Sequence, residues 1–254
     1  MVSIYSSNNP YKASDHTFTS LVDNNLIFLN DNTQKIQILN GPSNFTFSPD
    51  KIYGLRITDD ILEVYKTFKN HINFYIVTSY TAYKTLKKLT SNIIYLSDVI
   101  QTPPITNPHI ISDRFYTFCN AENYDTRLGR DYKIDVYSNL KLKPYILPNV
   151  NLIEWTPESV IAYQQYSTSI ISYNPAHSLQ KNSFKSLNRI VQCFYFNQNV
   201  ITNYPGILDP DIPWEIDKLD EEFYLIKNTR EIFNKFYTKE IIKNKIITFI
   251  QKYI

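Results

Sequence analysis

Phe74-Tyr75-Ile76-Val77-Thr78-Ser79-Tyr80-Thr81-Ala82 joins a fully apolar run to the start of a helical stripe. Residues 74–77 are apolar at every position, as a strand buried on both faces requires. Ser79 offers a capping hydroxyl, and Ala82, Tyr83, Leu86 and Leu89 then recur at helical spacing. Asn92-Ile93-Ile94-Tyr95-Leu96 is apolar again. Strand, short helix and strand in this order predict two parallel strands with the helix as crossover.

Toward the start of the chain the same alternation continues. Met1–Tyr5, Leu26–Leu29, Ile36–Leu39 and Lys51–Ile57 read as strands, with Gly41-Pro42 closing the third. Asp59 or Asp60 is expected to cap a helix whose face holds Ile61, Val64, Tyr65 and Phe68. Beyond Leu96, Gln101–Pro108 carries three prolines in eight positions. Such a run continues neither a helix nor a central strand, so it reads as a linker. It sets the expected domains at 1–107 and 108–254.

The second half restarts with Arg114–Cys119 as a strand. Tyr132–Leu142 is ambiguous. Val150–Ile153, Ser169–Tyr173 and Asn199–Thr202 read as strands. Thr156-Pro157-Glu158 has the chemistry of a helix opening. Phe184, Leu187, Val191 and Phe194 form one helical stripe, with Asn197 expected as a left-handed cap. A last helix starts at Lys239, with Ile242, Ile246, Phe249, Ile250 and Tyr253 on one face. The whole predicts an α/β fold of two Rossmann-like parallel sheets.

A net charge of +2 lacks the strongly basic balance of a dedicated nucleic-acid binder. Cys119 and Cys193 sit in apolar or aromatic surroundings, without disulfide-framework or zinc spacing, and read as two reduced thiols. No apolar stretch reaches the length of a bilayer span, so a soluble, cytoplasmic protein is expected. Asn, Ile, Lys and Tyr dominate the composition, as in proteins of AT-rich genomes such as those of viruses or plasmids. Asn44-Phe45-Thr46 fits a glycosylation sequon.

Four stretches of the second half, in order, resemble the C-terminal domain of GT-B glycosyltransferases. They are Pro148–Glu158, Ser169–Pro175, Phe184–Thr202 and Phe223–Ile232. Phe184–Thr202 looks like the family's donor-binding helix and following strand. In the first half, Tyr75–Ala82 looks like the strand–Ser–helix unit near the end of the family's N-terminal domain. The resemblance covers roughly residues 72 to 254. It implies a compact two-domain transferase, with the nucleotide-sugar donor on the second domain, the acceptor on the first, and the last helix packing back on the first. Gln192 stands where the family often has a ribose-binding acid, and Asn197 and Asn199 stand for its Gly and Pro.

Transfer from a nucleotide diphosphate needs positive groups at the leaving phosphates, a pocket for base and ribose, and a base for the acceptor. Gly129–Lys133 looks like the basic loop that grips the diphosphate in several GT-B enzymes, phage DNA glucosyltransferases among them. This makes Arg127, Arg130 and Lys133 donor-binding candidates; the alternative is a solvated turn. Asn174, Lys185, Asn188 and Gln192 complete the implied donor set, with Lys185 and Asn188 at a positive helix end. The resemblance implies His16 as base with Asp15 beside it; a plain surface His is the alternative, as it is for His177. No His/Asp/Glu cluster shows clear metal spacing, and a metal-independent enzyme without a cofactor besides its co-substrate is expected. Its partners are the nucleotide sugar and an acceptor left open among glycan, protein and nucleic acid. Two rivals stand beside the transferase: a catalytically degenerate binding or structural protein of the same fold, and an α/β nucleic-acid-binding protein.

Overall fold

The computed structural model describes residues 1–6, 18–23, 25–41, 45–58, 60–97, 99–100, 110–119, 124, 127–138, 148–156, 158–172, 187–203 and 208–254. In the first half, six short apolar runs become strands: β1 (Val2–Tyr5), β2 (Ile27–Leu29), β3 (Ile36–Asn40), β4 (Ile52–Ile57), β5 (Phe74–Val77) and β6 (Ile93–Tyr95). They pair in the order β2-β1-β3-β4-β5-β6, every pair parallel. Alternation along each strand builds two cores. Val2, Ile4, Ile36, Ile38, Phe74 and Ile76 face one side. Leu39, Tyr53, Leu55, Ile57, Tyr75 and Val77 face the other. Gly54 pairs in register with Phe74, whose ring occupies the space that a side chain at 54 would need.

Two helices cover the second of these faces. In α1 (Ile61–Phe68), Ile61 is buried, and Val64, Tyr65 and Phe68 pack partly against the core. Asp60 stands at its start in the left-handed region (φ 50°), with no side-chain cap bond. The acid thus turns the chain there without capping the helix by its side chain. In α2 (Tyr80–Lys87) the expected cap is present: Ser79 Oγ accepts the Ala82 N–H at 3.2 Å. The helix ends at Lys87, so Leu89, expected on the buried stripe, lies past the last turn and is 52% exposed.

The second sheet holds β7 (Phe115–Phe118), β8 (Ile134–Ser138), β9 (Val150–Glu154), β10 (Thr168–Ile170), β11 (Asn199–Thr202), β12 (Glu215–Lys218) and β13 (Tyr224–Lys227). Their order is β12-β13-β11-β10-β7-β8-β9. Strands β7 to β11 are parallel, and β13 joins β11 antiparallel. The ambiguous run after Tyr132 resolves as β8, buried at all five positions. One face is covered by α4 (Ser159–Tyr163), α5 (Asn188–Tyr195) and α6 (Thr229–Phe236). Leu128 of α3 (Leu128–Asp131) packs on the other face.

The last helix, α7 (Lys239–Ile250), starts at Thr238, whose hydroxyl accepts the Ile241 N–H. Its Ile242, Ile246 and Ile250 bury among Val2, Ile4 and Phe74 of the first sheet, not against the second. Lys243 pairs with Asp23, and Tyr253 donates to the Asn73 carbonyl at 3.4 Å. Each fully buried isoleucine stabilises this junction by roughly 1.5–3 kcal/mol. Among the described residues no helix is long and apolar enough to cross a membrane. The linker 101–108 lies outside the described residues.

Candidate functional site

In the second sheet the chain runs from β7 outward to β8 and β9, then returns to place β10 on the other side of β7. Adjacent strands that lead in opposite directions open a crevice beyond their carboxyl ends, where ligands of such sheets bind. The described residues at that edge are Phe118 and Cys119 after β7, and Ile171 and Ser172 after β10.

Helix α5 starts at this crevice. Its Leu187, Ile190, Val191, Cys193 and Phe194 sink into the core, leaving Asn188, Arg189 and Gln192 on the half-buried flank. Asn188 and Gln192 are one turn apart and share a face. Arg189 Nη1 donates to the Phe118 carbonyl at 3.1 Å, and its guanidinium lies 6.0 Å from the Phe118 ring centre. Burial pushes the Cys119 thiol up to about 11, with Arg189 opposing, so at neutral pH it is a protonated thiol and a poor nucleophile.

The far end of α5 explains why the helix stays in place. Asn197 adopts the left-handed conformation (φ 58°) expected of it. Gln198 then turns inward: its Oε1 accepts from Tyr116 at 2.7 Å and its Nε2 donates to the Tyr166 carbonyl at 2.9 Å. Ser169 Oγ donates to Cys193 Sγ at 3.0 Å. These bonds tie the helix to β7 and β10, the strands flanking the crevice.

The start of α5 also meets the first sheet. Leu187 N–H donates to the Thr78 carbonyl at 3.4 Å, just past the carboxyl end of β5. Tyr95 and Ile100 pack against the core under α5. Trp155 follows β9; its N–H donates to the Ser138 carbonyl at 2.9 Å, and the residue is 46% exposed.

The basic stretch around Arg130 forms α3, whose Leu128 packs on one face of the sheet. Arg127 pairs with Glu222, just before β13 and at the end of the sheet where β11 finishes, since Thr202 pairs with Tyr224. Arg130 is exposed on α3. Lys133 is at the amino edge: its carbonyl accepts the Phe115 N–H at 2.9 Å. Phe118 is three residues further along β7, about 10 Å away. Asn188 and Gln192 are together on α5, whereas Asp15, His16, Asn174, His177 and Lys185 lie outside the described residues.

Two residues of the carboxyl edges escaped the sequence reading. Arg189 had no motif of its own; its signal was a cation one position after the expected helix start. Arg56 is 2% exposed near the end of β4, donates to Asn40 Oδ1 at 2.9 Å and lies 5.1 Å from the Phe18 ring centre. Its signal was a lone charge in an apolar run. Asp209-Pro210-Asp211 has Asp-x-Asp spacing, but Asp209 Oδ1 accepts the Asp211 N–H, an ordinary turn contact. Among the described residues no three His, Cys, Asp or Glu side chains are placed to hold a metal ion.

No protein-family model matches the chain, and no curated protein matches it in sequence. Solved structures do match in shape. A mutant of S. aureus TarM in complex with Fondaparinux, alpha-GlcNAc-glycerol and UDP aligns with a TM-score of 0.58 at 14% identity, over 84% of this chain and 55% of that one. The GtfA/B complex aligns with a TM-score of 0.50 at 8% identity, over 85% of this chain and 57% of that one. The chain thus spans little more than half the length of these structures. At such identities the likeness shows the fold, which is the GT-B arrangement of parallel α/β sheets.

Proposed function

We propose that the chain transfers a sugar from a nucleotide-diphosphate donor to an acceptor, with the donor held at the carboxyl edge of the second sheet. The observation that carries this reading is the start of α5, set with Arg189 at the strand reversal between β7 and β10. A helix start beside a guanidinium favours an anion, here the leaving diphosphate, through N–H groups, dipole and charge together. Arg189 takes the part that the sequence reading gave to Lys133, which stands at the amino edge, and shares it with Arg130, exposed on α3. Asn188 and Gln192 face the ribose hydroxyls. Trp155, half exposed two strands from β7, offers a flat wall for the base.

Residues 1–107, with α7 packed back on them, form the acceptor half, and the rest of 108–254 forms the donor half. The start of α5 touching Thr78 brings the donor edge to the carboxyl end of the first sheet. His16, with Asp15 beside it, is the proposed base. Leaving-group charge is offset by Arg189 and the helix rather than by a metal. The bound UDP in the TarM structure supports a uridine nucleotide as the first donor to try.

A second reading keeps donor binding without transfer. Gln192 favours it, because an amide offers one neutral acceptor oxygen where a carboxylate offers two charged ones. A nucleotide-sugar hydrolysis screen with parallel calorimetry separates the two. Turnover that drops at least tenfold in Arg189→Ala supports the transferase. Binding without turnover supports the second reading, and no binding of any nucleotide sugar rejects both.

A further inference from the structure

Beside the β6 edge of the first sheet, α2 and the last turns of the chain carry cations and no acid, although Asp209 and Asp211 act on Tyr80, and Asp209 on Lys245, from outside these segments. Between Tyr80 and Asn92 the charged residues are Lys84, Lys87 and Lys88. Between Ile241 and Ile254 they are Lys243, Lys245 and Lys252. Lys243 has its partner in Asp23. Among the described residues, no ion pair involves Lys84, Lys87, Lys88 or Lys252. The two segments cover opposite faces of the sheet, yet Lys87 is close enough to Lys252 to add to the burial that lowers its pKa.

Rings are interleaved with these ammonium groups. Lys84 lies 5.9 Å from the Tyr80 ring centre and Lys87 5.8 Å from that of Tyr83. Lys252 lies 4.0 Å from the Phe249 ring centre and 5.0 Å from that of Tyr253. Leu89, 52% exposed, stands at the end of α2, its carbonyl accepting from Tyr65 at 3.2 Å.

We propose that this edge, formed by Lys84, Lys87, Lys88, Leu89 and Lys252, docks the protein on an anionic lipid bilayer. Like charges held together on segments that carry no acid of their own repel one another, and a negative surface outside relieves that repulsion. Two features select a bilayer over a soluble polyanion. The cations are all lysines, suited to diffuse attraction by headgroups, whereas bidentate phosphate recognition favours arginine. The exposed leucine and the amphipathic rings suit the boundary between headgroup and acyl chain. The surface lies apart from the proposed donor edge, so the inference stands independently of that reading.

Co-sedimentation of the full chain with phosphatidylcholine vesicles, with and without about 30% phosphatidylglycerol, tests it. Partition onto the anionic vesicles alone is expected. Lys87→Gln and Lys252→Gln each lower it about fivefold. Leu89→Ser lowers it at least about threefold, and Lys218→Gln on β12 leaves it unchanged. Circular dichroism confirms that each variant is folded. No binding to the anionic vesicles, or equal loss in Lys218→Gln, overturns the proposal. So does tighter binding to a short single-stranded DNA that is indifferent to Leu89→Ser, which would assign the surface to nucleic acid.

Discussion

Gly54 and Phe74 face each other across β4 and β5, and a Cβ at position 54 would collide with Phe74 Cε2 and Cζ. Phe74 is fully buried, between Phe249 of α7 and Tyr253 just beyond it on one side and its own sheet on the other. Its ring cannot swing away without disturbing that packing. Gly54→Ala is therefore expected to destabilise the fold by about 1–3 kcal/mol, read as a lower urea midpoint. Asn197 presents a backbone problem instead. Its φ of 58° strains an ordinary side chain, so Asn197→Ala costs about 1 kcal/mol while Asn197→Gly is neutral or stabilising. Equal effects of the two substitutions would remove backbone strain as the reason for Asn at this position. Asn197 was readable as a cap because the apolar stripe ended just before it. Arg189 was not, since nothing local says that its guanidinium reaches a carbonyl 71 residues earlier.

At the scale of elements, helices and buried strands were legible because their apolar periods are strong. Strand β12 was not. Glu215-Ile216-Asp217-Lys218 is exposed throughout and is held as a strand by pairing with β13, not by burial. The basic run around Arg130 was legible only in part for a related reason. Charge spacing gives residue types, but the side of the sheet on which α3 crosses depends on Leu128 packing against Ile134 and Val136. The seat of α7 makes a testable case of ion pairing. Asp23 is held well below the usual carboxylate range, first by the Lys243 ammonium and then by the N–H groups of Ile27, Leu26 and Asn25. Because the folded-state pKa is depressed, the unfolded chain binds the extra proton in acid. The stabilisation is present above about pH 4 and is lost as pH falls toward the folded value. Asp23→Asn should lower stability at pH 7 and flatten its decline below about pH 4, as measured by denaturant titrations across that range.

Considered whole, the molecule has two sheets whose carboxyl ends meet through the start of α5 and the turn after β5. A nucleotide seated at that contact would hold both halves in one arrangement. Saturating donor nucleotide, at about 100 times its dissociation constant, should add about 2.7 kcal/mol to stability and raise the melting temperature. The rise should shrink in Arg189→Ala and persist in Lys133→Ala. The reverse pattern would move the diphosphate to the amino edge.

The return of α7 also sets an order of assembly. Strand β1 shares its core with α7, which is made much later, and the whole second sheet is threaded between them in sequence. While the chain is being synthesised, Val2, Ile4 and Phe74 must wait for Ile242, Ile246 and Ile250 before that face is closed to water. Contacts so distant in sequence slow folding and leave apolar surface open in the meantime. A nascent chain halted before residue 239 should therefore recruit chaperones through its first half, although every strand of that half has already been made.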